Sequence, residues 1–335
     1  MKNAINRQIV LAARPVGEIG QDVLRLVERP VPKLAEGEAL VRNQILSIDP
    51  TNRIWMNEED SYLPAVQIGE IMRGITAGQV VESRSDLLKP GDLVTGLGGY
   101  ADYWVGQGQL MTKLPGGVSL EASLSVFGHI GLTAYFGLLE VGKAASGETV
   151  VVSAGAGATG SLVGQIAKIK GCRVVATVGT EEKRRWVVEQ LGFDQAIVHS
   201  TAPDLRRSLE LACPSGIDVF FDNVGGEVLD AALSNLALYG RVVLCGAISQ
   251  YNNPGEWGPK NYGELVVKRG RMEGFIVMDY HARAAEAFAA LAGWLKEGRL
   301  QYRADVIEGL ESAPLALQKL FRGENRGKLL VRISS

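Results

Sequence analysis

The sequence predicts an α/β protein, with a doubly wound parallel sheet in the middle of the chain and a β-rich domain drawn from its two ends. Three observations predict it. From Glu148 onward, strand patterns alternate with helix patterns. The first third instead holds short alternating runs punctuated by Gly and Pro. Beyond residue 300 the alternation breaks, leaving two strands around one helix that return to complete the first domain. At 335 residues the chain is too long for one ordinary core, so two domains are expected.

In the first third, Glu38–Ile45 and Gln79–Glu82 read as half-buried strands, with Pro30, Pro50, Pro64, Pro90 and Pro115 marking loops. Thr149–Val152 is a continuous β-branched run, as in a strand buried on both faces. Ser161–Lys170 is helical, with Leu162, Val163, Ile166 and Ile169 on one face. Arg173–Val178 is the second strand. Thr180 caps a helix that runs to Leu191 and stops at Gly192. Ala196–Val198, Val219–Phe221, Val242–Cys245 and Glu273–Val277 complete six strands, with helices over Glu227–Leu236 and Ala282–Lys296. In the tail, Arg303–Val306 and Lys328–Ile333 read as strands around a helix over Ser312–Phe321.

The run from Gly155 to Gly160 is G-x-G-x-x-G, directly after a buried strand and directly before a helix. In that context Gly155 allows the tight turn. Gly157 lets the backbone approach a pyrophosphate, and Gly160 lets helix and strand pack closely. Unpaired N–H groups at the helix start then point at the anion. An NAD site usually ends its second strand with a carboxylate for the ribose 2′-OH. Here Val178, Gly179 and Thr180 stand at that point, and Lys183 follows on the first helical turn. Glu181 and Glu182 are accounted for as partners of the helix dipole. A missing acid and an available base favour NADP(H).

Composition narrows the rest. The net charge of −2 offers no footprint for nucleic acid or anionic lipid. Ile9, Val10 and Leu11 are too short an apolar run for a signal peptide, and the uncharged Thr149–Ala167 is too rich in Gly, Ser and Thr for a membrane span. The expected location is the cytoplasm. Cys172, Cys213 and Cys245 have no partner at metal or disulfide spacing, nor do His129, His199 and His281 supply a ligand set, so no metal is expected. Alcohol oxidation usually relies on such a metal to acidify the hydroxyl. Hydride transfer to an already electrophilic C=C bond is easier to account for. Tyr262 falls near the end of a long Gly/Pro/Asn-rich loop after the fifth strand, which is expected by the carboxyl ends of the strands. It can donate a proton or a hydrogen bond there, or be an ordinary half-buried Tyr.

Several segments together resemble one family. They are Leu46-Ser47-Ile48-Asp49-Pro50, Gly91-Asp92-Leu93-Val94, the run Gly131–Leu139, Phe221–Gly226, Cys245–Asn252, Glu273–Val277 and Gly323–Lys328. The chain resembles, over nearly its whole length, the zinc-free medium-chain dehydrogenase/reductases of the leukotriene B4 dehydrogenase, prostaglandin reductase and curcumin reductase branch. The resemblance implies a GroES-like domain over residues 1–127 and 301–335 and a Rossmann domain over 128–300. It implies a homodimer and NADPH-dependent reduction of the C=C bond of α,β-unsaturated ketones and aldehydes. The implied cofactor contacts are Thr159, Gly160, Lys183, Asn223, Cys245, Ile248, Ser249, Phe275, Val277 and Asn325, with Thr133 near the nicotinamide. Tyr262 matches a family tyrosine near the nicotinamide ribose and the substrate carbonyl, and Tyr251 falls in the substrate pocket.

Three positions depart from the family pattern. His199 stands where the family usually has a Tyr by the 2′-phosphate end of the cofactor. Thr51 and Asn52 replace Tyr-Met after Asp49-Pro50, which puts a smaller, more polar edge on the substrate pocket. His129 replaces a Met before the Thr133 helix, with consequences for substrate range and proton delivery. Two other readings stay open: a quinone oxidoreductase of the same superfamily, and an NADPH-binding redox sensor without turnover.

Overall fold

The computed structural model describes residues 5–59, 61–253, 255 and 258–334. The chain divides into two compact units. One comprises Met1–Leu124, Tyr251–Asn253 and Ala304–Ser335, the other Ser125–Gln250 and Pro254–Arg303.

The second unit is built on six parallel strands. Across the sheet they run Gln195–Val198, Arg173–Val178, Thr149–Val152, Ile217–Asp222, Leu236–Leu244 and Arg271–Gly274. Numbered along the chain, that order is 3-2-1-4-5-6, the doubly wound arrangement that reverses direction between its first and fourth strands. Thr149–Val152 is buried on both faces, as its β-branched run requires. The helix Glu181–Glu189 begins where expected, with Thr180 Oγ1 accepting the Lys183 N–H at 3.3 Å, and ends two residues sooner than expected.

Three elements differ from the sequence reading. The helix expected over Glu227–Leu236 stops at Leu233, and Leu236 opens the fifth strand instead, because its backbone pairs beside Ile217. The sixth strand is Arg271–Gly274, since its ladder with the fifth strand ends at Leu244 and Gly274. Val277 then opens a short 3-10 helix packed on Leu132, Phe136 and Ala287. A helix over Leu205–Ala212 escaped the reading. Asp204 caps it, accepting from the Arg207 N–H at 2.9 Å, and Leu209 and Ala212 face the core.

In the first unit, Ile5–Leu11 and Leu24–Pro30 form an antiparallel hairpin beside a seven-stranded sheet. The tail enters that sheet directly. Lys328–Arg332 pairs antiparallel with Ile45–Ser47 and parallel with Ala304–Glu308. Leu46, Met56 and Tyr100 therefore share one core with Leu317, Leu329 and Val331.

A buried ion pair fastens this junction. Lys328 is 1% exposed, and its ammonium donates to Asp49 Oδ1 at 2.6 Å and to the Ile48 carbonyl at 2.9 Å. Ser47 Oγ donates to the other Asp49 oxygen. Burial pulls the Lys328 pKa down, while Asp49 opposes the shift. Such a pair is worth little against a well-packed apolar replacement, but breaking it strands a charge in the core. Lys328→Met is therefore expected to lower unfolding stability by about 3–5 kcal/mol. Lys328→Met combined with Asp49→Leu should recover most of the loss, as read by urea denaturation of both variants.

Candidate dinucleotide site

The site is assembled at the carboxyl ends of the second unit's strands, where the strand order reverses. The turn after Thr149–Val152 leads into the helix Ala158–Ile169, whose N-cap is Gly157 and carries no side-chain cap. Three helices fill that position with Ser119, Thr180 or Asp204, while others, such as His129–Phe136 and Gly226–Leu233, are likewise uncapped. Here the first-turn N–H groups are left for an anion.

The glycines divide their work differently from the sequence reading. The left-handed residue of the turn is Ala154, at φ +49°, rather than Gly155. Gly155 is required for packing instead: a Cβ there would lie 2.5 Å from Ala176 Cβ on the second strand. A Cβ on Gly160 would lie 2.4 Å from the Ala154 carbonyl oxygen, so Gly160 lets the helix close onto the turn. Gly157 has its N–H on the Ala154 carbonyl at 2.8 Å, and Thr159 lies on the first turn, half-buried.

A buried network holds the neighbouring strand ends against this turn. Asp222, fully buried, closes the fourth strand. Its carboxylate accepts from Ser153 Oγ at 2.9 Å and from the N–H groups of Val224 (3.0 Å) and Gly225 (3.0 and 3.1 Å). Burial pushes its pKa up, against those hydrogen bonds. Asn223 donates from its backbone to Ser153 Oγ at 2.7 Å and from its amide to the Ser153 carbonyl at 2.8 Å. The loop after the fifth strand is tied in as well. Cys245 N–H reaches the Asp222 carbonyl, Ile248 N–H the Asn223 carbonyl, and Ser249 Oγ the Val224 carbonyl at 2.6 Å. Burial and the Asp222 charge push the Cys245 thiol up to about 12, so it remains protonated. Asn223, Cys245, Ile248 and Ser249 are thus brought together beside the glycine turn. Asp222 and Ser153 were not singled out from the sequence. The available signal was an acid directly after two buried Phe residues.

At the next strand ends, His199 follows the third strand and its N–H bonds the Val178 carbonyl at 3.0 Å. Lys183, one turn into the adjoining helix, acts electrostatically on its imidazole. The imidazole lies beside Gly179, within electrostatic reach of Lys183, where a 2′-phosphate is expected. On the sixth-strand side, Phe275 packs edge-on against Phe221, with centroids 6.5 Å apart. His129 and Thr133 are half-buried and four residues apart on the helix His129–Phe136, hence on one face.

Tyr262 is not part of this assembly. It was expected at the carboxyl ends, and it stands at the opposite, amino end of the sheet, 68% exposed. Asn261 beside it donates to the Asp230 carbonyl (2.8 Å) and to Ser234 Oγ (2.9 Å), at the end of the helix that delivers the chain to Leu236. The cause is topological. A parallel sixth strand must start at the amino end, so the loop has crossed the sheet before reaching Arg271.

In the first unit, Asn325 is buried and donates to the Gly327 carbonyl at 2.8 Å. Thr51 Oγ1 shares a hydrogen bond with the Tyr62 hydroxyl, and Tyr251 is half-buried. Asn52 does not edge a pocket. It is 1% exposed, accepts from the Asp49 N–H at 2.8 Å and donates to the Arg73 carbonyl at 3.1 Å, which makes it a brace for its own turn.

Known proteins carry the same design. Residues 7–114 match the family model for the N-terminal domain of oxidoreductase, and residues 158–295 that for zinc-binding dehydrogenase. Among the described residues, no group of three or more His, Cys, Asp or Glu could hold a metal ion. The chain is 42% identical to the NADPH-dependent curcumin reductase of Escherichia coli K12, over 98% of this chain and 97% of that one. It is 39% identical to the NADP(+)-dependent 2-alkenal reductase of Nicotiana tabacum, over 98% of each. The crystal structure of CurA from Vibrio vulnificus in complex with NADPH superposes with a TM-score of 0.93, at 41% identity over 98% of this chain and 99% of that one.

With Tyr262 where it stands, Tyr262→Phe is expected to leave kcat within about twofold of the parent, since an exposed hydroxyl contributes little. A fall of tenfold or more in steady-state turnover would put the phenol at the reacting carbonyl.

Proposed function

The chain belongs to the zinc-free branch of the medium-chain dehydrogenase/reductases, and from that premise we propose that it reduces the C=C bond of α,β-unsaturated ketones and aldehydes with NADPH. The observation that carries the proposal is the convergence at the switch point. Three strand ends, locked by Asp222 and Ser153, surround an uncapped helix start, with Lys183 and His199 at the adjoining pair of ends. The naming of relatives as curcumin reductase and 2-alkenal reductase supports a conjugated carbonyl as the acceptor.

NADPH, when bound, would supply the hydride that the β-carbon of the enone accepts. Negative charge then develops on the carbonyl oxygen, where hydrogen bonds are worth most. The α-carbon takes a proton from water or from His129. The chain's own residues hold the dinucleotide. Gly155, Gly157, Thr159 and Gly160 receive the pyrophosphate, Lys183 and His199 the 2′-phosphate, and Asn223, Cys245, Ile248, Ser249, Phe275 and Val277 the nicotinamide half, with Thr133 beside it. Within the same unit, His129 shares the Thr133 face of its helix and is the residue offered to the substrate. The protein works in the cytoplasm on a small molecule, with no nucleic-acid partner, in keeping with its net charge of −2. It does so as a homodimer. The open edge of strand Arg271–Gly274 and the exposed Val266 and Val267 beside it support that assembly.

Two measurements test this reading. NADPH oxidation should be fast with conjugated enones and enals and slow with quinones; turnover of quinones alone overturns the assignment. Lys183→Ala should raise KM for NADPH by about tenfold or more, the worth of one charge-assisted hydrogen bond, and KM for NADH hardly at all. An equal rise for both cofactors removes Lys183 from the 2′-phosphate.

A further inference from the structure

The family pattern has a tyrosine where this chain has His199, and the exchange replaces a group that does not titrate near neutrality with one that does. His199 is the first residue after the third strand. Its N–H is fixed on the Val178 carbonyl at 3.0 Å, and Ser200 Oγ donates to the Gly179 carbonyl at 2.8 Å, so the turn is pinned to the end of the second strand from both sides. The imidazole Nε2 comes to 3.8 Å from the point where Gly179 would carry a Cβ. That is an ordinary contact distance, and it places the ring beside Gly179 at the end of the second strand. The helix Glu181–Glu189 supplies the charged neighbours. Lys183 is the one that acts on the imidazole, Glu181 is engaged by Arg184 at 2.6 Å, and Glu182 shares the first turn.

Resting on the reading of this corner as the 2′-phosphate site, we propose that His199 takes up a proton when the 2′-phosphate binds, so that the preference for NADPH over NADH strengthens as the pH falls from about 8 to about 6. In the free protein, partial burial of the ring and then the Lys183 charge lower the imidazole pKa from its ordinary value, which favours the neutral form, although the residue as a whole lies on an exposed turn. A 2′-phosphate carries a charge of about −1.5 to −2 at that pH. An opposite charge within about 4–6 Å favours the protonated imidazole and raises its pKa. The sign then follows. The complex binds more protons than its separated parts, so affinity rises as pH falls through the raised pKa. Below about pH 6 the phosphate itself protonates, and the gain levels off.

The test uses calorimetric titration of the whole protein with 2′,5′-ADP, and with 5′-AMP as the probe lacking the phosphate. For the parent, the Kd for 2′,5′-ADP should weaken by about tenfold from pH 6 to pH 8, the equivalent of one pKa unit. The heat at pH 7 should depend on the buffer's ionisation enthalpy, with proton uptake as its sign. 5′-AMP should show neither effect. His199→Gln keeps a hydrogen-bonding side chain on an exposed turn and should flatten the pH dependence. Persistence of the full pH dependence in His199→Gln, or buffer-independent heat in the parent, overturns the proposal while leaving the NADPH site intact. Equal affinity for 2′,5′-ADP and 5′-AMP at every pH overturns the NADPH site itself.

Discussion

A single buried carboxylate organises the working end of this protein. Asp222 sits where the strand order reverses, and it is out of contact with water. A carboxylate in that position has to be satisfied by fixed donors or it destabilises the fold. The donors it finds are Ser153, from the end of the first strand, and the backbone of its own turn. Satisfying the charge therefore fixes the separation of two strand ends. Asn223 and the loop beginning at Cys245 are built on that fixed pair. Preorganisation of this kind is inherited by every group placed on it.

Much of this was legible in the sequence, and the reasons differ by element. Thr149–Val152 and Arg173–Val178 stand with the bounds their β-branched runs indicated, because a strand buried on both faces leaves no ambiguity of period. The glycine turn was recognisable from its flanks. Its internal division of labour was not, since a left-handed Ala154 is set by the turn as a whole rather than by its own preference. The hairpin strand Leu24–Pro30 was missed because it is mostly exposed and charged on one side, so its pattern resembles a loop. Asn52 and Tyr262 illustrate a different gap. Residue type suggested a role, but burial in one case and sheet topology in the other decided the location, and neither is a local property of the sequence.

The departures from the family pattern are of unequal weight. Thr51 is smaller than the tyrosine usual there, yet a phenol still reaches its position, from Tyr62 eleven residues on in the chain. The local chemistry is thereby partly retained by a different residue. His199 has no such substitute. At that position a phenol gives way to an imidazole, whose charge answers to its surroundings.

The ion pair between Lys328 and Asp49 has a consequence in time as well as in space. Its partners lie 279 residues apart in the chain. At a synthesis rate of about 5–20 residues per second, Asp49 waits roughly 15–55 seconds on the ribosome before its counter-ion exists. Throughout that interval the first sheet lacks the strand that covers Leu46, and by its end every strand of the parallel sheet has been made. The first sheet cannot be completed until the strand Lys328–Arg332 is made. The part of the protein begun first is the part completed last, so a chain truncated near its end loses the beginning of the fold rather than only its tail.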